Sequence, residues 1–234
     1  MKLLVFGGTG VISRAIVRIA RERGNEVAVV NRGSRNVELP LGVRSIRADR
    51  NDRAGFAAAL TEERPDAIID MICFNPDEAR QTLCLFREKA GHLIFASSVA
   101  AYERPYKSLP VREDLERPLL DTDFSYGRDK AAMERFLFAE MPKPGGAITI
   151  IRPSLTFGPG ARNFGMLRQN YNVVRRIRDG RPLVMVGEGM MPWSFTYVDD
   201  LARGFVLACR NANTFNNHFQ VLGARRQINL NATL

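Results

Sequence analysis

Tyr126 and Lys130 stand four residues apart in the run SYGRDK. On a helix that spacing puts both side chains on one face, with their bases about 5–6 Å apart. A neighbouring ammonium favours the phenolate, so the phenol can give or take a proton. The same pair is also compatible with a solvated helix face. Ser97 and Ser98 lie in FASSVAAY, at the end of an apolar run. Their hydroxyls are placed either to reach a ligand over a sheet edge or to cap a turn. Near the N-terminus, GGTGVIS sets Gly7, Thr9, Gly10, Val11 and Ile12 between a short apolar strand and an amphipathic helix. Gly7 permits a tight turn, and Gly10 lets the backbone approach a phosphate that the helix N-terminus favours. The last small residue of this loop is Ser13, which predicts a slightly looser fit between helix and strand.

The stretch after the second apolar run, EVAVV, bears on the ligand. It reads Asn31-Arg32-Gly33-Ser34-Arg35 and carries no carboxylate. A loop preferring NAD presents Asp or Glu to the ribose hydroxyls, whereas Arg32 and Arg35 suit a 2′-phosphate. NADP(H) is therefore the expected cofactor, with NAD the second choice. Asp49 and Arg50, in ADRND, fall where an adenine would lie, and Met71 and Ser97 complete the expected cofactor contacts on the next strands. No metal site is expected. His92 and His218 are isolated, and Cys73, Cys84 and Cys209 share no ligand spacing and read as reduced core thiols.

These residues need a scaffold, and the periodicity supplies one. Apolar runs at 3–6, 26–30, 43–46, 67–72, 92–97 and 147–152 alternate with helical patterns from Val11 and at about 53–60, 76–89 and 126–140. Apolar strands bounded by helices predict a parallel sheet covered on both faces, a doubly wound α/β fold of the Rossmann type with ligands at the strands' carboxyl ends. Beyond residue 153 the rhythm changes. Runs at 183–186, 194–197 and 218–222 and a helix from Asp199 suggest a small second lobe woven into the first domain. The expected division is 1–153 for nucleotide binding, with returns at about 195–223, and 154–234 for an apparently incomplete C-terminal substrate lobe.

In 234 residues, 45% hydrophobic and 25% charged, no apolar run approaches a membrane span and no signal peptide precedes the first strand. A cytoplasmic location and no membrane partner are expected. The net charge of +9 is uneven: residues 1–117 carry 19 basic and 16 acidic side chains, and 118–234 carry 15 and 9. Seven arginines stand between Arg152 and Arg181 against Asp179 alone. Such a patch suits a nucleic acid, a small phosphorylated ligand, or a solvated helix face.

Taken in order, GGTGVIS, the acidic position after strand three, SSVAAY, YGRDK, RPSLTFGPG and FTYVDDLA resemble an extended short-chain dehydrogenase/reductase of the NAD(P)-dependent epimerase/dehydratase type. The resemblance covers essentially the whole chain. It implies that Tyr126 is the acid/base, that Lys130 binds the nicotinamide ribose and tunes Tyr126, and that Ser98 holds the substrate oxygen. It also implies that Pro153 and Ser154 lie by the nicotinamide, and that the protein is a homodimer through the helix bearing the Tyr–Lys pair. Arg128, Ala131, Ala132, Arg135 and Phe136 offer a mixed surface there.

The departures narrow the reaction. Val99 and Ala100 replace the acidic pair of sugar-nucleotide dehydratases, and Leu155 stands where many nucleotide-sugar enzymes have Asn. Neither Val99 nor Ala100 can protonate a leaving hydroxyl, and Leu155 tilts the reading from epimerase towards reductase. INLNATL resembles the start of a helix that family members continue for many tens of residues, so the chain reads as short for the family. The expected function is hydride transfer at a substrate C–OH or C=O. A nucleotide-sugar epimerase, or a Rossmann scaffold that binds RNA or another polyanion without catalysis, are the alternatives. The expected partner is a small molecule, possibly anionic or nucleotide-linked, rather than a nucleic acid. Arg162, Arg168, Arg175 and Trp193 are candidates to line its site.

Overall fold

The computed structural model describes residues 1–34, 37–161, 172–183 and 194–221. Strands β1 (Lys2–Phe6), β2 (Glu26–Asn31), β3 (Arg44–Arg47), β4 (Ala67–Asp70), β5 (His92–Ala96) and β6 (Ala147–Pro153) fall within a residue or two of the apolar runs. Between and after them lie α1 (Val11–Glu22), α2 (Arg53–Ala59), α3 (Pro76–Phe86) and α4 (Ser125–Glu140). The later part adds β7 (Leu155–Phe157), α5 (Asn172–Arg178), β8 (Phe195–Tyr197), α6 (Val198–Ala208) and β9 (Asn217–Val221).

Seven strands form one sheet in the order β3-β2-β1-β4-β5-β6-β9, and every pairing in it is parallel. The chain leaves β1 towards β2 and β3, then returns to the other side of β1 to lay down β4. The crevice outside the carboxyl ends at that reversal is where such sheets take ligands. β9 returns to the main sheet beside β6, while β7 and β8 pair with each other. Neither β7 nor α5 is suggested by the sequence pattern. The expected strand at 183–186 lies, beyond Leu183, outside the described residues.

Side chains alternate across the sheet and build two cores. One packs Leu3, Val5, Val27, Val29 and Ile69 against Ile16 and Ala20 of α1 and Leu201 and Phe205 of α6. The other packs Leu4, Phe6, Ile68, Phe95 and Ile150 against Phe56, Leu83, Phe86, Met133 and Leu137 of α2, α3 and α4. Burial on both faces explains why the strands read as unbroken apolar runs rather than as alternations. The thiols are free, but only Cys73 and Cys209 are buried; Cys84 is exposed on α3, so it is not a core residue.

Candidate functional site

A groove of about 480 Å³ opens at the carboxyl ends of β1, β2 and β4. Of the expected cofactor contacts it gathers Gly7, Thr9, Gly10, Val11, Ile12, Asn31, Arg32, Asp49, Arg50 and Met71. Gly33, Ser34, Asn51, Phe74 and Glu78 also line it. Arg35 lies outside the described residues. Gly7 has a φ of 109°, a conformation that asks for glycine, and a Cβ there would stand a tight 3.3 Å from Ile72 Cγ2. Ser13 is buried at 4% exposure, and its Oγ accepts a hydrogen bond from Gly10 N at 2.9 Å. The serine thus closes the first turn of α1 instead of merely loosening its packing, a role the motif does not suggest.

Asn31 is already committed. Its Oδ1 accepts from Gly33 N at 2.8 Å and its Nδ2 points to Ser45 Oγ at 3.4 Å. Arg50 turns inward from the groove rim. Its Nη2 donates to Asp70 Oδ2 at 2.6 Å and to Thr82 Oγ1 at 2.7 Å, and its Nη1 donates to Ile72 O at 3.0 Å. Its guanidinium also lies 5.4 and 5.6 Å from the rings of Phe6 and Phe56. It therefore braces the loop after β4, leaving Asp49 and Asn51 as the polar groups at that end of the groove.

Three side chains of α4, Tyr126, Lys130 and Glu134, succeed one another at i, i+4 and i+8. Tyr126 is partly exposed at 37%, whereas Lys130 and Glu134 are buried. Lys130 Nζ donates to Cys73 O at 2.6 Å and Ala96 O at 2.5 Å, at the ends of β4 and β5, and lies 4.7 Å from the centre of the Phe74 ring. Burial lowers the pKa of this ammonium, opposed by Cys73 and the carboxylates of Asp70, Glu134 and Glu78. Lys130 thus stands under Phe74, a groove-lining residue, with two of its three protons on main-chain carbonyls. Glu134 receives Arg152 Nε at 2.8 Å and Nη2 at 2.6 Å, and Arg152 Nη1 donates to Tyr102 Oη at 3.1 Å. Burial pushes the Tyr102 phenol up to about 12, against the pull of Arg152.

Ser98 caps the 3-10 turn Val99–Ala101, its Oγ accepting from Ala100 N at 3.1 Å. The hydroxyl thus caps a turn, and its proton has no acceptor among the described residues. Ser97 Oγ is buried with no hydrogen-bond partner among the described residues. Gly127 brings α4 against the Ser98 turn: a Cβ there would stand 2.6 Å from Ala100 O. Pro153 ends β6, and Ser154 Oγ is hydrogen-bonded to Thr196 Oγ1 of β8 at 2.6 Å. Arg175 is exposed on α5, and Arg162, Arg168 and Trp193 lie outside the described residues. Phe74 and Glu134 stand outside the quoted motifs, and Glu134 had a readable signal in its spacing of four from Lys130; Tyr102, Gly127 and Arg152 lie within SSVAAY, YGRDK and RPSLTFGPG, which gave them no site role.

A doubly wound parallel sheet with a glycine-bounded groove at its reversal point and a Tyr–Lys helix beside it defines a Rossmann-type protein of the short-chain dehydrogenase/reductase kind. Residues 3–222 match the NAD dependent epimerase/dehydratase family, and the chain belongs to that family. It is similar to 2'-dehydrokanamycin reductase from Streptomyces kanamyceticus, with 30% identity over 202 residues, 86% of this chain and 55% of the relative. It is also similar to 3-diazoavenalumate denitrifying reductase from a Streptomyces species, with 26% identity over 92% of this chain and 74% of the relative. The chain thus spans about half the length of the first of these reductases. Its fold is that of UDP-glucuronic acid 4-epimerase from Bacillus cereus, solved with UDP-glucuronic acid and NAD. That likeness has a TM-score of 0.73 at 22% identity and covers 96% of this chain and 78% of the epimerase.

Proposed function

We propose that this protein is an NADP(H)-dependent reductase or dehydrogenase acting at a substrate C–OH/C=O, with Ser98, Tyr126 and Lys130 as its working side chains. The observation that carries the reading is the succession on α4. Tyr126 is exposed next to Gly127, which seats α4 against the Ser98 turn, and Lys130 is buried one turn further on, against the groove-lining Phe74. Two observations support a dinucleotide in the groove: Gly7 turns at a φ of 109° on its lining, and Ser97 Oγ, outside that lining at the end of β5, is a buried polar atom with no hydrogen-bond partner among the described residues. Gly7, Thr9, Gly10, Val11 and Ile12 would hold the pyrophosphate, Arg32 and Arg35 a 2′-phosphate, and Asp49 the adenine side. Arg50 would support that side from behind. Met71, Ser97, Pro153 and Ser154 would border the nicotinamide side.

When bound, the cofactor supplies or accepts hydride at the substrate carbon. Ser98 would donate a hydrogen bond to the substrate oxygen and keep its proton, and Tyr126 would give that oxygen the one proton needed in reduction or remove it in oxidation. The Lys130 ammonium stabilises the phenolate that results. Its present hydrogen bonds to Cys73 O and Ala96 O hold it at the strand ends from which the third N–H can turn to a ribose hydroxyl. Residues 1–153 with the return at 195–223 form the nucleotide domain in this reading. Residues 154–234 contribute part of a substrate lobe, and α4 forms the homodimer contact. The reductase relatives and Leu155 favour reduction over epimerisation, while the nucleotide-sugar epimerase of shared fold keeps a nucleotide-linked substrate in view.

The test is a screen of carbonyl compounds and nucleotide sugars with NADPH and NADH, followed by Tyr126→Phe. Turnover is expected to vanish in the variant while nucleotide binding persists. Undiminished turnover in Tyr126→Phe would exclude this role. Interconversion of nucleotide sugars without net cofactor turnover would select the epimerase alternative.

A further inference from the structure

Phe74 lines the groove, whereas Lys130 does not. Lys130 is buried, and its Nζ lies 4.7 Å from the centre of the Phe74 ring, within reach of a cation–π attraction. A ligand that enters from the groove therefore meets the ring before it meets the ammonium.

The main chain that carries this ring is fixed. Asn75 caps α3, its Oδ1 accepting from Glu78 N at 3.0 Å, and Pro76 opens the helix. The Glu78 carboxylate reaches back, its Oε2 accepting from Phe74 N. The ring itself is held far less. An apolar residue just ahead of a helix cap commonly packs on the fourth helical residue, here Ala79, which is buried in the core. Phe74 instead keeps 44% exposure, and its ring has no aromatic neighbour among the described residues, only the Lys130 ammonium. A half-exposed side chain held by one such attraction turns readily about χ1. Lys130, with two N–H groups on Cys73 O and Ala96 O, stays where it is.

We propose that Phe74 is the gate to Lys130: its ring covers the ammonium and swings aside to admit the nicotinamide ribose, which frees the third N–H for a ribose hydroxyl. This rests on the reading of the groove as a dinucleotide site with Lys130 at its nicotinamide-ribose end. The open rotamer is the binding-competent one, so the apparent affinity of a dinucleotide is lowered in proportion to the fraction of molecules that hold it. A ligand that stops at the pyrophosphate leaves the ring in place and escapes this loss.

Calorimetric titration of the chain with NADP+, NAD+, ADP and adenosine 2′,5′-bisphosphate tests it, because the last two stop short of the nicotinamide ribose. Phe74→Ala is expected to tighten both dinucleotides by about threefold to tenfold, the strength of one cation–π contact, and to leave the two fragments within about twofold. Lys130→Met keeps an apolar stem of similar length and removes the charge. In that background nothing holds the ring, and Phe74→Ala is expected to change dinucleotide binding by less than about twofold. Weaker or unchanged dinucleotide binding in Phe74→Ala would overturn the gate while the dinucleotide reading stands. A gain shared by the two fragments, or one that persists beside Lys130→Met, would overturn it as well. Binding of none of the four by the unmodified chain would overturn the gate together with the reading beneath it.

Discussion

The two ends of the sheet treat buried polar groups in opposite ways. At the carboxyl ends, around the groove, charges are carried into the interior and matched there: Arg50 with Asp70, Arg152 with Glu134, and Lys130 with two carbonyls. At the amino ends buried His92, at 0% exposure, sits among neutral partners and is itself kept neutral. Its Nε2 lies 2.7 Å from Thr149 Oγ1 and its Nδ1 accepts from Arg210 N at 3.2 Å. Burial, aided by the charge of Arg210, lowers its pKa to about 4. A neutral network is enough where the structure only has to be satisfied. Buried charges carry a desolvation cost that good pairing only roughly offsets, and here they gather near the carboxyl ends of β4, β5 and β6. Arg50 joins the loop after β3 to β4 and α3 at the groove, whereas Arg152, two strands further along the sheet, joins β6 to α4 and, through Tyr102, to the Ser98 turn. The exposed cations Arg32 and Arg47 form a third category, with no ion-pair partner among the described residues.

The sharpest way to break this comparison is to leave a buried charge alone. Glu134→Leu strands Arg152 and is expected to cost about 3–5 kcal/mol in urea unfolding, whereas Glu134→Leu with Arg152→Met recovers most of it. A loss under about 1 kcal/mol would mean that Arg152 reaches water and that the pair is not a brace. Gly127→Ala forces a methyl against Ala100 O and is expected to cost about 1–3 kcal/mol. If Tyr126 works with the Ser98 turn, turnover should fall more than stability does, and parallel activity and melting measurements separate the two.

The opposite end of the sheet is probed by pH. The folded pKa of His92, about 4, lies below its unfolded value. Between about pH 6.5 and 4 the unfolded chain therefore binds the extra proton, and stability present above that window is lost as pH falls, by about 1.4 kcal/mol per unit. His218, also lowered by burial, adds in the same direction. Urea unfolding at about pH 7.5 and 5 should show this slope, and His92→Gln should flatten most of it. A variant with an unchanged slope would move the origin of the effect elsewhere. The smallest effect belongs to the unpaired cations: Arg47→Ala should leave the melting free energy within about 0.5 kcal/mol of the parent.

The strands and helices were legible because burial on both faces writes itself as apolar runs, and β1 to β6 lie where those runs predict. The groove was legible too, since GGTGVIS and the loop after β2 are local motifs whose chemistry depends on neighbours in the chain. Arg50 shows where legibility stops. Its place after the third strand pointed to the adenine, but Asp70 and Thr82, 20 and 32 residues further on, draw its guanidinium inward. Arg32 and Arg50 look alike as letters, and only the acceptors around them separate a rim cation from a brace.

By itself the sequence determined the layered α/β scaffold, the nucleotide-sized loop at its first turn and the Tyr–Lys spacing on a helix, because each follows from contacts between near neighbours. The tertiary structure alone decided that Lys130 is buried on strand-end carbonyls under the Phe74 ring, and that Glu134 and Arg152 lock its helix to β6. Those are contacts between strands and helices far apart in the chain. Which charge finds a partner there depends on register and burial, which no local spacing records.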